Sequence, residues 1–229
     1  MNYAEIKKYY DKFGYIYDKE RMSGYFAFIN KLETEIAIKH IENKDILEIG
    51  CGTGIILNQT SKLAKNAIGV DLSDGMLEVA KKKNLTVQKA NATNLPFPDN
   101  SFDVVYSFKV LAHIPDIQLA IREIIRVTKP GGKLILEFYN PYSLKGLVGK
   151  ISGFIKKQNV YIRFDSYKKI KSYLPSNIVI TDTYGIKIVL FSNSIFSGNI
   201  FQIIERKLAT TPLKYLGGYF VIIAIKNNF

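Results

Sequence analysis

The residues with the clearest chemical meaning form a glycine-rich turn and a carboxylate that follows it. Gly50, Gly52 and Gly54 come directly after a short apolar run over 46–49, and Asp71 ends the next apolar run, over 67–71. Glycines let backbone N–H groups approach a ligand closely, and a helix that begins at such a turn adds a favourable field. A carboxylate at the end of the neighbouring strand can accept two hydrogen bonds from a ribose diol. The pattern predicts a nucleoside cofactor, although the spacing differs from the Gly-x-Gly-x-x-Gly of dinucleotide sites.

The composition gives little indication of a metal site or of a cysteine nucleophile. The chain has one cysteine, Cys51, and two histidines, His40 and His113, so a zinc site of the usual cysteine–histidine type cannot form. No paired carboxylates suggest a magnesium site. We therefore predict no metal, and we interpret Cys51 as a small residue of the loop rather than a nucleophile.

The elements that would position these residues alternate between strands and helices. Short apolar runs predict strands over 45–49, 67–71, 85–90, 102–108 and 133–139. Apolar residues at helical spacing predict helices over 55–64, 74–83 and 117–128, with Ser73 as the cap of the second. This alternation implies right-handed βαβ units, and therefore an α/β fold whose mostly parallel sheet has helices on both faces.

The C-terminal part is predicted to complete this sheet. Residues 178–183 and 186–191 are typical of one strand or a bulged pair, 199–208 of a helix, and 219–226 of a last strand. An antiparallel pair that closes the sheet fits this order.

Two further segments flank the core. Apolar stripes over 3–42 predict two or more helices that form an N-terminal lid, with a hinge suggested by Gly14 and Gly24. The segment 141–175 holds eight basic residues and one acid, Asp165, and we interpret it as an inserted basic amphipathic flap. Its apolar stripe consists of Leu144, Leu147, Val148, Ile151, Phe154 and Ile155.

The length suits one domain over 1–229. We divide it into the helical lid at 1–42, a cofactor-binding core at 43–140, the flap at 141–175, and C-terminal strands and a helix at 176–229.

Charge is distributed unevenly along the chain. The net charge is +12; residues 1–140 carry 19 basic and 17 acidic residues, whereas residues 141–229 carry 13 and 3. This asymmetry predicts an anionic partner for the C-terminal part, or it reflects a lysine-rich composition. The first residues contain no apolar signal-peptide core, and the longest apolar runs are far shorter than the roughly 20 residues that span a bilayer. With one cysteine, a reducing compartment is the default, so we expect a soluble, cytoplasmic protein.

Four sequence blocks resemble those of one large family. They read ILEIGCGTG, GVDLS, NLPFPDNSFDVVYS and REIIRVTKPGGKL, in this order within residues 46–135. The chain resembles the class I S-adenosylmethionine-dependent methyltransferases, typified by quinone-biosynthesis methyltransferases and their small-molecule relatives. The resemblance implies a Rossmann-like doubly wound sheet with an antiparallel C-terminal strand. It also implies S-adenosyl-L-methionine as the cofactor and S-adenosyl-L-homocysteine as its product.

The resemblance assigns expected roles at the methionine end of the cofactor. Glu48, Gly50, Cys51, Gly52 and Gly54 are expected to line that end. Ser107, at the end of the fourth strand, is expected to offer its backbone carbonyl to the methionine amino group. Tyr17 matches a Tyr-Asp motif that covers the cofactor in the family, although the tyrosines of this segment could equally be ordinary amphipathic aromatics.

Other expected roles concern the adenosine end. Asp71 is expected to hold the ribose hydroxyls, with Leu72 and Met76 packing near the adenine. Asn91 and Ala92 match the adenine-reading position, where the family more often has Asp-Ala. An asparagine oxygen still accepts a hydrogen bond from the adenine amino group, but it has no charge.

The reaction expected from the resemblance is an in-line displacement, in which the enzyme aligns the acceptor and excludes water. His113 follows the fourth strand beside the expected acceptor site and is the best candidate for a general base. Relatives often carry two histidines there, whereas this chain has Ala112 at the first position. The alternative is a structural histidine that hydrogen-bonds to the loop, for example to Asp116.

The acceptor is expected to be a small molecule or lipid-like. The basic flap suggests peripheral contact with an anionic membrane, or a lid that packs on its own domain. An RNA or protein methyltransferase is the alternative that the basic C-terminal part suggests, yet no RNA-binding motif is present and nucleic acid is not expected. A third alternative, a binding protein that keeps the fold without catalysis, rests only on Asn91 and Ala112.

Overall fold

A seven-stranded sheet forms the centre of the computed structural model, which describes residues 3–143, 161–188 and 199–228. The strand order is β3-β2-β1-β4-β5-β7-β6. β7 runs antiparallel to β5 and to β6, and the other neighbours are parallel. The strands are β1 Asp45–Ile49, β2 Asn66–Asp71, β3 Val87–Lys89, β4 Phe102–Ser107, β5 Thr128–Tyr139, β6 Ile178–Ile186 and β7 Tyr219–Lys226. The predicted α/β doubly wound sheet with an antiparallel C-terminal strand is confirmed.

Helices cover both faces of this sheet. They are α1 Tyr3–Arg21, α2 Gly24–Ile38, α3 Leu57–Thr60, α4 Asp74–Lys82, α5 Ile117–Val127, α6 Tyr167–Lys171 and α7 Asn199–Leu208. Short 3-10 turns lie at Leu111–His113 and Pro212–Leu216. Ser73 caps α4 as predicted, because its Oγ accepts a hydrogen bond from the N–H of Met76 at 3.2 Å.

Alternation along the central strands produces a core on each face. Ile46 and Val104 pack with the apolar side of α2, whereas their neighbours Leu47 and Val105 pack with α5 on the other face. Both faces are buried because the central strands place apolar residues on each of them, as expected for a parallel sheet between two layers of helices. The carboxyl ends of β1, β2 and β4 therefore share one edge, where the glycine turn begins.

Several predicted boundaries differ from the structure. The helix expected over 55–64 is a single turn, and the strand expected over 85–90 is limited to Val87–Lys89. β5 begins at Thr128 rather than near 133, because Thr128 pairs with Phe102 before the register shifts at the Pro-Gly-Gly turn. β6 is one strand with an irregularity between Ile180 and Asp182, and residues 189–191 lie outside the described residues.

The predicted break near Gly14 is wrong, whereas the one near Gly24 is confirmed. α1 runs unbroken through Gly14, and the chain turns at Met22 and Ser23 instead. Gly14 is where α1 crosses α4: a Cβ on Gly14 would lie 2.8 Å from the carbonyl oxygen of Gly75, and one on Gly75 would lie 2.4 Å from that of Asp11. The two glycines thus allow backbone contact between the helices, a use of glycine that a helical-periodicity argument does not detect.

The predicted flap is described only in part. Its apolar stripe falls within 144–160 and lies outside the described residues. The remainder packs on the domain, because Arg163 N–H donates to the carbonyl of Ala112 at 2.8 Å and Asp165 N–H to that of Tyr139 at 2.8 Å. Arg163 and Asp165 also form an ion pair at 2.8 Å. In the part of the chain that the structure describes, no helix combines the length and apolar character of a membrane span.

Candidate active site

A cleft opens at the carboxyl ends of β1, β2 and β4, beneath α1. Its empty space is about 840 Å³ including the open mouth. The strand ends supply its floor and walls, with Gly50, Gly52, Asp71, Leu72, Lys109 and Val110 among the lining residues. α1 forms the roof through Ile6, Lys7, Tyr10 and Tyr17.

The glycine turn takes a backbone form that other residues rarely adopt. Gly50, Gly52 and Gly54 have φ values of 71°, 54° and 77°. A Cβ on Gly50 would lie 2.1 Å from a methyl carbon of Val110, whereas one on Gly52 would meet nothing nearer than the Met76 sulfur at 3.8 Å. Gly50 is therefore fixed by packing and Gly52 borders open space in the cleft.

Asp71 organises the polar end of the cleft. One carboxylate oxygen accepts a hydrogen bond from Gly52 N–H at 2.9 Å and the other from Ser73 N–H at 2.9 Å. Burial raises the pKa of Asp71, against the lowering effect of these backbone N–H groups. Each oxygen retains a lone pair for a ligand, so a diol that donates two hydrogen bonds would relieve the cost of burying this carboxylate.

Polar contacts hold α1 over the cleft. Asp11 accepts hydrogen bonds from the Ser73 hydroxyl at 2.7 Å and from Gly75 N–H at 3.2 Å. Further along the helix, Asp18 accepts a hydrogen bond from the Thr53 hydroxyl at 2.5 Å and forms an ion pair with Lys83 at 2.6 Å. The roof is thus tied both to the cap of α4 and to the glycine turn.

His113 lies at the inner end of the cleft with a defined tautomer. Its Nδ1 is 2.8 Å from the carbonyl oxygen of Tyr161, and a carbonyl can only accept, so Nδ1 holds the proton and Nε2 has the free lone pair. Burial lowers the pKa of His113, against the raising effect of this hydrogen bond. The ring is therefore neutral at physiological pH. The partner is Tyr161, not the Asp116 that the sequence suggested.

A second compartment adjoins the cleft, and we call it the aromatic pocket. It shares Tyr10, Tyr17, Lys109 and His113 with the cleft, and its empty space is about 430 Å³. Its rings come from Tyr10, Tyr17, Tyr25, Phe26, Tyr139 and Tyr219. The other lining residues of the described chain are Arg21, Ile29, Lys109, His113 and Lys187.

A buried polar cluster supports the wall between the two compartments. Lys109 Nζ donates to Asn30 Oδ1 at 2.5 Å and to Glu33 Oε2 at 2.6 Å, and its backbone N–H donates to Glu137 at 3.1 Å. Burial opposes the charge of Lys109, but the Glu33 carboxylate keeps the pKa of Lys109 above its usual value. Burial raises the pKa of Glu137 well above its usual range. This arrangement favours one charged pair and one neutral carboxyl.

Comparison with known proteins identifies the chemistry of this edge. Residues 47–136 match the family described as "Methyltransferase domain". An uncharacterised protein of Methanocaldococcus jannaschii is 32% identical over 97% of this chain and 92% of its own length. A demethylmenaquinone methyltransferase of Symbiobacterium thermophilum is 35% identical over an aligned region that covers 61% of this chain and 55% of that relative. The chain belongs to the class I S-adenosylmethionine-dependent methyltransferases.

Solved structures agree with this methyltransferase in fold. The magnesium protoporphyrin IX methyltransferase of Synechocystis, crystallised with S-adenosylhomocysteine, superposes with a TM-score of 0.72 at 14% identity, over 99% of this chain and all of that one. An S-adenosylmethionine-dependent methyltransferase of Thermotoga maritima superposes with a TM-score of 0.67 at 22% identity, over 95% and 98% of the two chains. The cofactor of the present methyltransferase is S-adenosyl-L-methionine, and the glycine cradle and the half-buried Asp71 carboxylate fit it.

Nine predicted site residues are brought together at this edge of the methyltransferase. They are Tyr17, Gly50, Gly52, Asp71, Leu72, Met76, Asn91, Ala92 and His113. The other four lie beside the cleft rather than in its lining. Glu48 is buried against the Tyr106 hydroxyl at 3.1 Å, and Ser107 Oγ donates to the Ile49 carbonyl at 3.0 Å. Cys51 packs with Leu57 and Leu77, and a Cβ on Gly54 would meet Leu85 at 2.2 Å. The individual roles of all thirteen remain predictions.

Sequence reasoning missed most of the aromatic pocket. Arg21, Tyr139, Lys187 and Tyr219 come from four separate segments, and no local motif joins them. Lys109 had a recognisable signal, because it follows the fourth strand closely and lies beside the predicted base. Its left-handed backbone, with φ of 60°, is unusual for lysine and typical of functional sites.

Proposed function

We propose that this methyltransferase acts on a small-molecule or lipid-like acceptor with a planar ring, bound in the aromatic pocket, and that His113 is the general base. The observation that supports this most directly is the wall shared by the two compartments. Tyr10, Tyr17, Lys109 and His113 border both of them. An acceptor in the aromatic pocket would therefore face the cofactor cleft without crossing solvent.

The lining favours a flat and largely apolar acceptor. Aromatic rings pack well against other planar groups, in stacked or edge-to-face arrangements. Burial raises the pKa of Tyr17, Tyr139 and Tyr219, so their hydroxyls remain protonated and can donate hydrogen bonds to oxygen atoms of an acceptor. The relative named demethylmenaquinone methyltransferase also supports a quinone-like or lipid-like acceptor. An RNA would need an extended basic groove, whereas this pocket has about 430 Å³ of empty space.

The work of the reaction would be divided among residues of both compartments. Bound S-adenosylmethionine supplies an electrophilic methyl group on a sulfonium centre. Asp71 would hold the ribose hydroxyls, and Gly52 leaves room for the cofactor to approach the backbone. The tyrosine rings would orient the acceptor and exclude water. His113 Nε2 would take the proton from the acceptor atom, while its Nδ1–H stays bonded to the Tyr161 carbonyl.

Methyl transfer from isotopically labelled S-adenosylmethionine to a panel of phenols, hydroquinones and ring-containing lipids tests the proposal. With a methylated acceptor in hand, His113→Asn is expected to lower kcat by about 10²–10⁴-fold, the usual contribution of a general base. The parent enzyme should also lose activity at low pH, and His113→Asn should abolish this pH dependence of kcat. That loss reports protonation of His113 and is expected below the usual titration range of histidine, because burial lowers its pKa.

His40→Asn is the matched control, since this half-buried histidine contacts Lys133 at 3.0 Å and lies outside both compartments. Its kcat and pH profile should match those of the parent enzyme. Label incorporated into RNA or protein and into no small molecule would contradict the proposed acceptor class. An unaltered pH profile in His113→Asn would contradict the role of this residue alone.

A further inference from the structure

Three cations line the aromatic pocket, and one of them, Arg21, has no carboxylate partner among the described residues. Arg21, Lys109 and Lys187 border it, and its described lining includes no carboxylate. The charge of Lys109 is matched by Glu33, which lies 2.6 Å from it. Two other acids lie nearby. Glu137 favours its neutral form because burial raises its pKa well above the usual range, and the buried Glu205 accepts a hydrogen bond from Ile188 N–H, next to Lys187. The charge of Arg21 is therefore left without a carboxylate partner among the described residues.

The guanidinium of Arg21 is held in place by rings rather than by an acid. Its central carbon lies 4.3 Å from the ring centroid of Phe26 and 5.4 Å from that of Tyr17. Its Nε is buried and has no hydrogen-bond partner within the described residues. The carbonyl of Arg21 accepts a hydrogen bond from Asn30 at 2.8 Å, which fixes the end of α1. Stacking of this kind fixes the plane of a guanidinium and leaves its N–H edge for an oxyanion such as a carboxylate or phosphate.

Lys187 contributes a second cation at the same pocket. Its Nζ lies 5.5 Å from the ring centroid of Tyr219, and its carbonyl accepts a hydrogen bond from Gly218 N–H at 3.1 Å. The backbone of Lys187 is left-handed, with φ of 64°, a conformation that lysine adopts at an energetic cost and that is often found at functional sites.

We propose that the methyl acceptor is an organic anion, whose carboxylate or phosphate group binds the Arg21 guanidinium while its ring lies among the tyrosines. The inference rests on the proposed function, because it takes the aromatic pocket as the acceptor site. A neutral acceptor would leave the buried N–H of Arg21 unpaired, whereas an oxyanion would satisfy it and supply the missing negative charge.

Binding of an anionic acceptor to Arg21 would also affect the pKa of the proposed base, His113. The positive charge of Arg21 is one of the influences that lower the pKa of His113, after burial. An oxyanion on Arg21 offsets that influence, so His113 accepts a proton more readily when the acceptor is bound. Selection by charge and activation of the base would thus occur together.

Matched pairs of acids and neutral esters test the proposal by calorimetry on the enzyme saturated with S-adenosylhomocysteine. The probes are 4-hydroxybenzoate, 4-hydroxycinnamate and indole-3-carboxylate, each with its methyl ester, and phenyl phosphate beside phenol. We expect the anion of at least one pair to bind about tenfold or more tightly than its neutral partner, the scale of a charge-assisted hydrogen bond. Arg21→Met should reduce that ratio to about one, and Arg21→Lys should restore part of it.

Lys12→Met is the matched control, since Lys12 is an exposed cation on the same helix and lies outside both compartments. It should leave the preference for the anion unchanged. Affinity for S-adenosylhomocysteine should be equal in all variants, which shows that α1 remains folded on the cleft. If acids and esters bind equally, or if Arg21→Met keeps the preference, the anionic acceptor is ruled out while the aromatic acceptor site stands. If no ring compound binds, the proposed function fails together with the inference.

A vesicle experiment distinguishes two sources of the oxyanion, a lipid phosphate and a free organic acid. Co-sedimentation with phosphatidic acid vesicles is compared with phosphatidylcholine vesicles, for the parent enzyme and Arg21→Met. Binding to phosphatidic acid that Arg21→Met abolishes would identify a lipid phosphate as the anion. Equal co-sedimentation of both proteins, together with an acid preference in calorimetry, would identify a free organic acid.

Discussion

The cofactor cleft and the aromatic pocket share a wall but are built in opposite ways. The cleft depends on backbone conformation at a few glycines and on one carboxylate, all within short stretches that follow β1 and β2. The pocket depends on side chains from α1, α2, β5, β7 and Lys187, which meet only in the folded chain. Substitutions in the cleft should therefore affect binding and stability together. Substitutions at residues that line the pocket alone should instead change acceptor choice and leave the fold and the cofactor site intact.

Gly50→Ala should produce the largest effect and is the strictest test of a cleft built from backbone. The left-handed conformation costs an alanine about 1–2 kcal/mol, and contact of the new methyl with Val110 adds about 1–3 kcal/mol. We expect lower stability in urea denaturation and no measurable S-adenosylmethionine binding. Gly131→Ala is the matched control, because Gly131 also has a positive φ of 75° but a methyl group added there would have no atom within 4 Å. Equal effects of the two substitutions would refute the packing contribution.

Glu48→Gln tests whether a buried carboxyl group beside the cleft makes the stability of the protein depend on pH. Burial raises the pKa of Glu48 to about 8, above its value in the unfolded chain. The unfolded chain therefore loses this proton first, and the free energy of unfolding falls as the pH rises from the unfolded pKa to the folded one. The loss should be about 3 kcal/mol between pH 5.5 and 8.5. Glutamine keeps an oxygen for the Tyr106 hydroxyl but does not titrate. It should therefore remove this contribution to the pH dependence of the free energy of unfolding, as measured by urea denaturation at several pH values. Glu123→Gln should not, because the pKa of Glu123 is lowered by its hydrogen bond with Arg126. A slope unchanged in Glu48→Gln would show that Glu48 does not titrate in this range.

Asp71→Ala tests the single carboxylate of the cleft. We expect the affinity for S-adenosylmethionine to fall by about 1.5–3 kcal/mol, as for a lost hydrogen bond to a charged group. Asp71→Asn should retain part of the affinity, since one oxygen can still accept a hydrogen bond. Calorimetry of the three proteins measures the series. Unchanged affinity in Asp71→Ala would mean that the ribose is held by other groups.

Tyr25→Phe should give the smallest effect and tests the pocket rather than the cleft. The Tyr25 hydroxyl is buried and has no hydrogen-bond partner within the described chain. Its removal should leave stability equal or raise it by about 1 kcal/mol, because no native hydrogen bond is lost. The affinity for S-adenosylmethionine should not change, whereas acceptor binding should. A clear loss of cofactor affinity would show that the two compartments do not behave independently.

The sequence predicted the sheet and the cleft because both depend on local patterns. The run 45–49 contains Ile46, Leu47 and Ile49, precedes a glycine turn, and forms β1 over the same residues. The cap at Ser73 and the carboxylate at Asp71 follow from residue type and position. These signals lie within a few residues of the structure that they specify, so periodicity and turn chemistry are sufficient to find them.

The aromatic pocket escaped prediction because its residues resemble ordinary core and surface positions. Phe26 has the spacing of an apolar core stripe, yet it is 38% exposed and borders the pocket. Glu33, on the same helix, is fully buried because Lys109 comes from a distant strand end to pair with it. Neither fact can be derived from helical spacing, since each depends on which segments meet in three dimensions.

The contact between Gly14 and Gly75 bears on how such an enzyme diversifies. Because backbone meets backbone there, the seat of α1 does not depend on the size of any side chain at the crossing. On this helix Arg21 lines the aromatic pocket alone, whereas Tyr10 and Tyr17 line both compartments. Exchanges at Arg21 can therefore change the acceptor pocket without displacing the helix or altering the lining of the cofactor cleft. The same scaffold is open to drift toward new acceptors in nature, and to deliberate retargeting in the laboratory, while its donor chemistry is conserved.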